Sequence, residues 1–255
     1  MPVELWTNST ATLTTEDGLT LAADVRQPAD PRAAVVVVHG FTANRRDPSV
    51  VAIAQALADD GYAVVTFDAR GHGDSPGACT LGDDERLDVA AAVRAARSLS
   101  DAVVVVGASM GAIAALRYAA APTAGPVDGV VTVSCPARWQ LRTMRTVLAA
   151  VLTQTPPGRW FLRNRAGVTV APARRRGASP ESLAARVECP LAIVHGLADR
   201  FMPALEASRL HERAPGQRRL DLVPAMGHAF SDEATSTIVA AVAWCLLVAR
   251  PLHAA

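Results

Sequence analysis

The chain is predicted to adopt a doubly wound α/β fold, and three observations carry that prediction. Runs of valine and isoleucine such as "AAVVVVHG", "YAVVTF", "AVVVVGAS" and "CPLAIVHG" are apolar at consecutive positions, as strands buried on both faces of a parallel sheet must be. Segments of helical length and pattern separate these runs. The strands also end in glycine, serine, aspartate or histidine, so polar groups collect at one edge of the sheet, where ligands bind in such folds.

The elements follow in order. "TATLTTEDGLTLAADV" reads as two strands joined at Asp17-Gly18. "AAVVVVHG" is the third strand. "DPSVVAIAQALADDG" is a helix with Asp47 as N-cap, Pro48 at its first position and Gly61 as C-cap. "YAVVTFDARGHG" is the fourth strand, running into a glycine loop. "GDDERLDVAAAVRAARSL" is an amphipathic helix whose acids and arginines match the macrodipole at its two ends. "AVVVVGAS" is the fifth strand, "MGAIAALRYAAA" a helix and "VDGVVTVSC" the sixth strand. The rhythm then breaks over residues 136–186 and resumes with strand "CPLAIVHG", helix "PALEASRLHERA", strand "QRRLDLVP" and a last helix from about Asp232 to Ala249.

Composition excludes several function classes. The chain has 255 residues, half of them hydrophobic, and no lysine, so a Schiff-base lysine and a P-loop lysine are ruled out. A net charge of +1 gives no support to nucleic-acid binding. The charge is uneven: residues 136–186 hold ten arginines and one acid, Glu181, while the rest of the chain holds 15 arginines and 23 acids. The N-terminal "MPVELWTNST" lacks the basic and apolar regions of a signal peptide. No apolar run is expected to reach the ~18–20 residues of a bilayer span. Cys79, Cys135, Cys189 and Cys245 are too dispersed for a metal or disulfide framework. A reduced cytoplasmic protein without cofactor or metal is expected. Its oligomeric state is left open, a homodimer included.

At the sheet edge the chemistry converges. "GASMG" is a G-x-S-x-G elbow between a four-valine strand and a helix, the setting that lifts a serine hydroxyl clear of a sheet. Ser109 is therefore the candidate nucleophile, against the plainer reading as a helix N-cap. The Met110 N–H, at the start of the helix, is a candidate oxyanion donor. His228, in "VPAMGHAF" after the eighth strand, is the candidate base. His39 and His195 in "HG" pairs, His72 in the glycine loop, His211 in a helix and His253 near the terminus are weaker placements. Asp199, in "HGLADRFMP" after the seventh strand, would orient His228. The end of the sixth strand, "SCPARW", has no carboxylate, and Asp221 lies inside a strand. The order Ser109, Asp199, His228 is that of a nucleophile-elbow hydrolase. The Phe41 N–H in "HGFTANRR" is the candidate second oxyanion donor.

Taken together, "HGF", "FDARGHGDS", "GASMG", "HGLADR" and "MGHAF" make the chain resemble the α/β-hydrolase superfamily over essentially its whole length. Within it, the esterase, monoacylglycerol-lipase and serine-aminopeptidase-like branch is the nearest in pattern. The resemblance implies an eight-stranded, mostly parallel sheet with a cap after strand six. Residues 1–135 and 187–255 would then form the core, and 136–186 a short arginine-rich cap. It also implies that Asp68 to Ser75 is a structural signature near the site.

The cap carries no motif that names a substrate. Trp139, Leu141, Met144, Val147, Leu148, Val151 and Leu152 are expected on one amphipathic helix, able to line an acyl pocket or close the core. Arg138 and Arg142, with Trp139, are candidate substrate contacts, the arginines for an anionic group. A solvated lid surface is the plainer account of these arginines. The expected function is hydrolysis of a carboxylic ester through an acyl-enzyme, with a small-molecule ester or thioester as partner. A thioesterase or acyltransferase using the same residues, and a non-catalytic small-molecule binder, are the alternatives.

Overall fold

The structure, a computed structural model, describes residues 6–121, 125–139, 144–172 and 177–249. Eight strands form one sheet: β1 (Trp6–Thr14), β2 (Thr20–Pro28), β3 (Ala34–Val38), β4 (Ala63–Phe67), β5 (Val103–Ala108), β6 (Gly129–Val133), β7 (Leu191–Gly196) and β8 (Arg218–Val223). Their spatial order is β1-β2-β4-β3-β5-β6-β7-β8. β1 pairs antiparallel with β2, β2 antiparallel with β4, and all other pairings are parallel.

The valine runs are buried on both faces because helices cover both. On one face α2 (Glu85–Arg97), α3 (Met110–Ala119), α6 (Pro180–Ala184) and α7 (Leu205–Arg213) pack on alternate residues such as Val36, Val38, Val103 and Val105. On the other, α1 (Pro48–Asp59) and α8 (Thr235–Ala249) pack on Val35, Val37, Val104 and Val106. Pleat alternation thus divides each strand between two cores.

α1 begins as expected, with the Asp47 carboxylate accepting from the Ser49 N–H, but its C-cap is Asp60, with Gly61 the residue beyond. α2 carries its acids in the first turn and its arginines in the last, as its sequence implies. Glu85 and Asp88 are also fully buried and anchor loops. Glu85 accepts from the Thr80 and Gly82 N–H groups, and Asp88 from the backbone and guanidinium of Arg70. The last helix corrects the expectation that no segment is of membrane length. Residues 232–249 are long and apolar enough to meet that criterion. Ile238, Ala241, Val242 and Cys245 are nonetheless fully buried in the core beneath the sheet.

The insertion after β6 contains α4 (Met144–Gln154), α5 (Pro156–Phe161) and a π-helical turn, Leu162–Ala166. Trp139 precedes α4 instead of belonging to it, and Leu141 lies outside the described residues. Residues 162–171 return to the core: Leu162, Val168 and Val170 join it, and Thr169 exchanges backbone hydrogen bonds with Gly71 and Cys79. α6 packs on α3 and α7. The part that faces the sheet edge is therefore α4, with α5 packed against it.

Candidate active site

Ser109 sits between β5 and α3 at φ 51°, ψ −107°, a left-handed conformation that a non-glycine residue adopts only under constraint. The constraint is visible. Its N–H donates to the Val133 carbonyl of β6, and the turn on either side is too tight for side chains. A Cβ on Gly107 would lie 2.5 Å from the Gly111 carbonyl oxygen, and one on Gly111 would lie 2.4 Å from that of Val38. The Ser109 hydroxyl makes no capping bond to α3. It instead lies 3.1 Å from His228 Nε2.

His228 Nδ1 is 2.7 Å from Asp199 Oδ2, so the imidazole bridges the serine and the carboxylate with Nδ1–H donating to Asp199. The other carboxylate oxygen accepts from the N–H groups of Phe201 and Met202 at 2.7 and 2.9 Å. The Asp199 side chain is fully buried. Burial alone would raise its pKa. The hydrogen bond and charge of His228, with the two backbone N–H groups, outweigh that and hold it below the usual carboxylate value.

Two neighbours of the imidazole were not singled out in the sequence. The Phe201 ring stacks on His228 with centroids 5.0 Å apart. Ser134, fully buried at φ 49°, accepts through Oγ from the N–H of Ala229, itself at φ 65°. The end of β6 therefore holds both halves of the constellation: Val133 takes the serine's N–H, and Ser134 takes that of the residue after the histidine. The only sequence signal for Phe201 is an aromatic two residues after Asp199. Ser134 gives none, since its use depends on a positive φ.

The Gly40–Phe41 turn runs alongside the serine, and a Cβ on Gly40 would stand 3.7 Å from Ser109 Cβ. Phe41 and Met110 both line the cleft that Ser109 and His228 open into. The Phe41 ring meets the edge of His72, which packs against His39. The "DARGHGDS" stretch supports this loop from below. Buried Asp68 accepts from the Arg45 N–H and guanidinium and from the Asp74 N–H, tying residues 40–47 to residues 68–75.

The cleft has a volume of about 510 Å³ and is mainly apolar, with Leu81, Ile113, Trp139, Leu148, Leu152 and Leu162 among its walls. A second cavity of about 580 Å³ lies behind Leu81, Trp139 and Thr153, which border both. Among the expected substrate contacts, Trp139 is on the cleft wall, and its indole N–H donates to the Gly177 carbonyl. Arg138 borders the cleft too, but its guanidinium is committed to Glu181, with Nε 2.8 Å from both carboxylate oxygens. Its charge is therefore shared with Glu181. Arg142 lies outside the described residues. Arg145 does face the cleft, with its guanidinium 5.8 Å from the Phe201 ring centroid.

Comparison with known proteins agrees with this architecture. The family described as "Serine aminopeptidase, S33" matches residues 29–168. A curated relative, the uncharacterized protein YqkD of Bacillus subtilis, is 27% identical over 215 residues, spanning 80% of this chain and 67% of YqkD. Among solved structures, the Pyrococcus furiosus esterase Pf2001 superposes with a TM-score of 0.73 at 22% identity, covering 94% of this chain and 91% of that one. The esterase RhEst1 of Rhodococcus superposes with a TM-score of 0.68 at 19% identity, covering 94% and 98%.

Proposed function

Because the chain belongs to the serine aminopeptidase S33 family of α/β-hydrolases, we propose that it is a serine hydrolase that cleaves a carboxylic ester. The observation that carries the reading is the continuous chain from Ser109 Oγ through His228 to the buried Asp199 carboxylate, placed at the mouth of an apolar cleft. Esterase activity in structures of the same fold supports it.

In this mechanism Ser109 Oγ attacks the ester carbonyl as His228 Nε2 takes its proton. The carbonyl oxygen becomes an oxyanion that the Phe41 and Met110 N–H groups stabilise. His228 then delivers the proton to the departing alcohol, leaving the acyl group on Ser109. A water molecule, deprotonated by His228, attacks the acyl-enzyme, and the proton returns to Ser109 as the acid leaves. Asp199 keeps Nδ1 protonated, so that Nε2 presents its lone pair, and stabilises the imidazolium. Ser134 is a positioning residue: it fixes the backbone that carries His228.

The test is hydrolysis of a p-nitrophenyl ester series, with matched thioesters beside it. Wild type should turn over oxyesters with a chain-length optimum set by the cleft. Ser109→Ala should lose at least about 10³-fold in kcat. Full activity in Ser109→Ala contradicts the assignment, and a clear thioester preference moves the substrate class.

A further inference from the structure

α4 presents the side of its surface that a soluble helix ordinarily hides. Thr146 and Thr153 are its buried residues, and the Thr153 hydroxyl donates back to the Ala149 carbonyl. Met144, Val147, Leu148 and Val151, spaced three and four apart along one stripe, are exposed, Met144 to 82%. α5 extends the same apolar surface with Trp160, 66% exposed, and Phe161. The two helices form one unit: the Thr155 hydroxyl donates to Val151 of α4 and accepts from the Gly158 N–H of α5. Six large apolar side chains thus stand in water on adjoining helices, where a monomer rarely leaves a contiguous patch without a use.

Every charged side chain on α4, α5 and the turn that follows, Met144 to Ala166, is an arginine: Arg145, Arg159, Arg163 and Arg165. From Trp139 to Pro180 the sequence holds eight arginines and no aspartate or glutamate. Arg145 is exposed on α4 itself. Arg163 and Arg165 are exposed just beyond α5, and Arg159 is half-exposed within it. A second copy docking here by a two-fold axis would set arginine against arginine, which disfavours self-association. Nucleic acid would match the charge but leave the aliphatic stripe in water.

We propose that α4 and α5 form a docking face for an anionic lipid surface, with guanidinium groups at the phosphate headgroups and the apolar stripe among the upper acyl chains. Leu148 and Arg145 also border the cleft, so a docked molecule presents its cleft mouth to the interface. Docking itself does not depend on the ester-hydrolase reading.

The test is binding rather than activity. Full-length protein is mixed with vesicles of phosphatidylcholine alone or of equal parts phosphatidylcholine and phosphatidylglycerol. Co-sedimentation and tryptophan emission are then read. The proposal expects binding at least ~10-fold tighter to the anionic vesicles, weakened by salt. It also expects a blue shift that disappears in Trp160→Phe. Arg159→Gln/Arg163→Gln/Arg165→Gln and Met144→Ser/Val151→Ser should each lose most of the binding while melting as wild type. No vesicle binding overturns the proposal. So does a blue shift that follows protein concentration without lipid and doubles the mass, which assigns the face to a second copy. Equal binding to an acidic peptide without a blue shift also overturns it, reducing the arginines to general polyanion contacts.

Discussion

The meeting of Ser109, His228 and Asp199 within hydrogen-bond distance was legible in the sequence because each lies just past a strand end, and a parallel sheet brings strand ends together. What holds them was not legible. Ser134 and Phe201 act through space, and only coordinates show that β6 clasps the serine's N–H and that of Ala229 together. The two candidate glycines of the elbow make a sharp prediction. In Gly111→Ala the new methyl would meet the Val38 carbonyl at 2.4 Å, which backbone cannot easily vacate. A loss of about 1–3 kcal/mol in denaturant unfolding is expected, with activity falling further than stability. Ser134 separates hydrogen bonding from backbone strain. Ser134→Ala keeps the strain and orphans the Ala229 N–H, whereas Ser134→Gly relieves the strain and still orphans it. Both should lower kcat with little change in KM, by about 10-fold if the lost bond is worth ~1–2 kcal/mol. Full kcat in Ser134→Gly would show that geometry alone matters there.

The elements themselves were read nearly end to end, since their periodicity reports burial. The pattern says least where a side chain's partners come from elsewhere in the chain. The first-turn acids of α2 sit where the helix dipole favours them, but nothing in the pattern tells that they are buried and accept from loop N–H groups and Arg70. The apolar residues of α4 divide: Leu148 and Leu152 wall the cleft, as an acyl-pocket helix would, whereas Met144, Val147 and Val151 are exposed and its threonines are buried. The cap arginines likewise divide by partner rather than by sequence density. Arg138 is paired with Glu181, whereas Arg145 looks into the cleft over Phe201. Arg145→Gln should therefore lower kcat/KM for anionic esters about two- to fivefold more than for neutral ones of equal length. Arg138→Gln should leave that ratio unchanged. Equal effects of Arg145→Gln on both ester classes would remove electrostatic selection from the cap.

For the whole molecule, the buried histidines make the fold acid-sensitive. Burial first, and then neighbouring His72, push the His39 pKa down to about 4 from the ordinary 6.5. Its neutral ring is required by the packing, since Nε2 accepts from the Ala69 N–H while Nδ1–H donates to the Gly40 carbonyl. Between pH 6.5 and 4 the unfolded chain takes up a proton that the folded one refuses, so stability falls as pH drops through that window. The loss from this residue alone is roughly 3 kcal/mol across it. Asp199 has the opposite charge type. Its lowered pKa contributes stability above the unfolded carboxylate value and loses it only at lower pH, so the two windows are distinct. Guanidinium chloride unfolding at pH 7.5 and 4.5 should show a smaller pH penalty in His39→Gln than in wild type. Identical penalties would dismiss His39 as the sensor.

The central claim is that Ser109 is the nucleophile, oriented through His228 by Asp199. Its most direct test is reaction of folded wild type with a fluorophosphonate, followed by intact-mass and peptide mass analysis. A single phosphonyl adduct is expected on the peptide containing Ser109, absent in Ser109→Ala and strongly slowed in His228→Gln. An adduct on another residue, or no adduct on folded wild type, would contradict it.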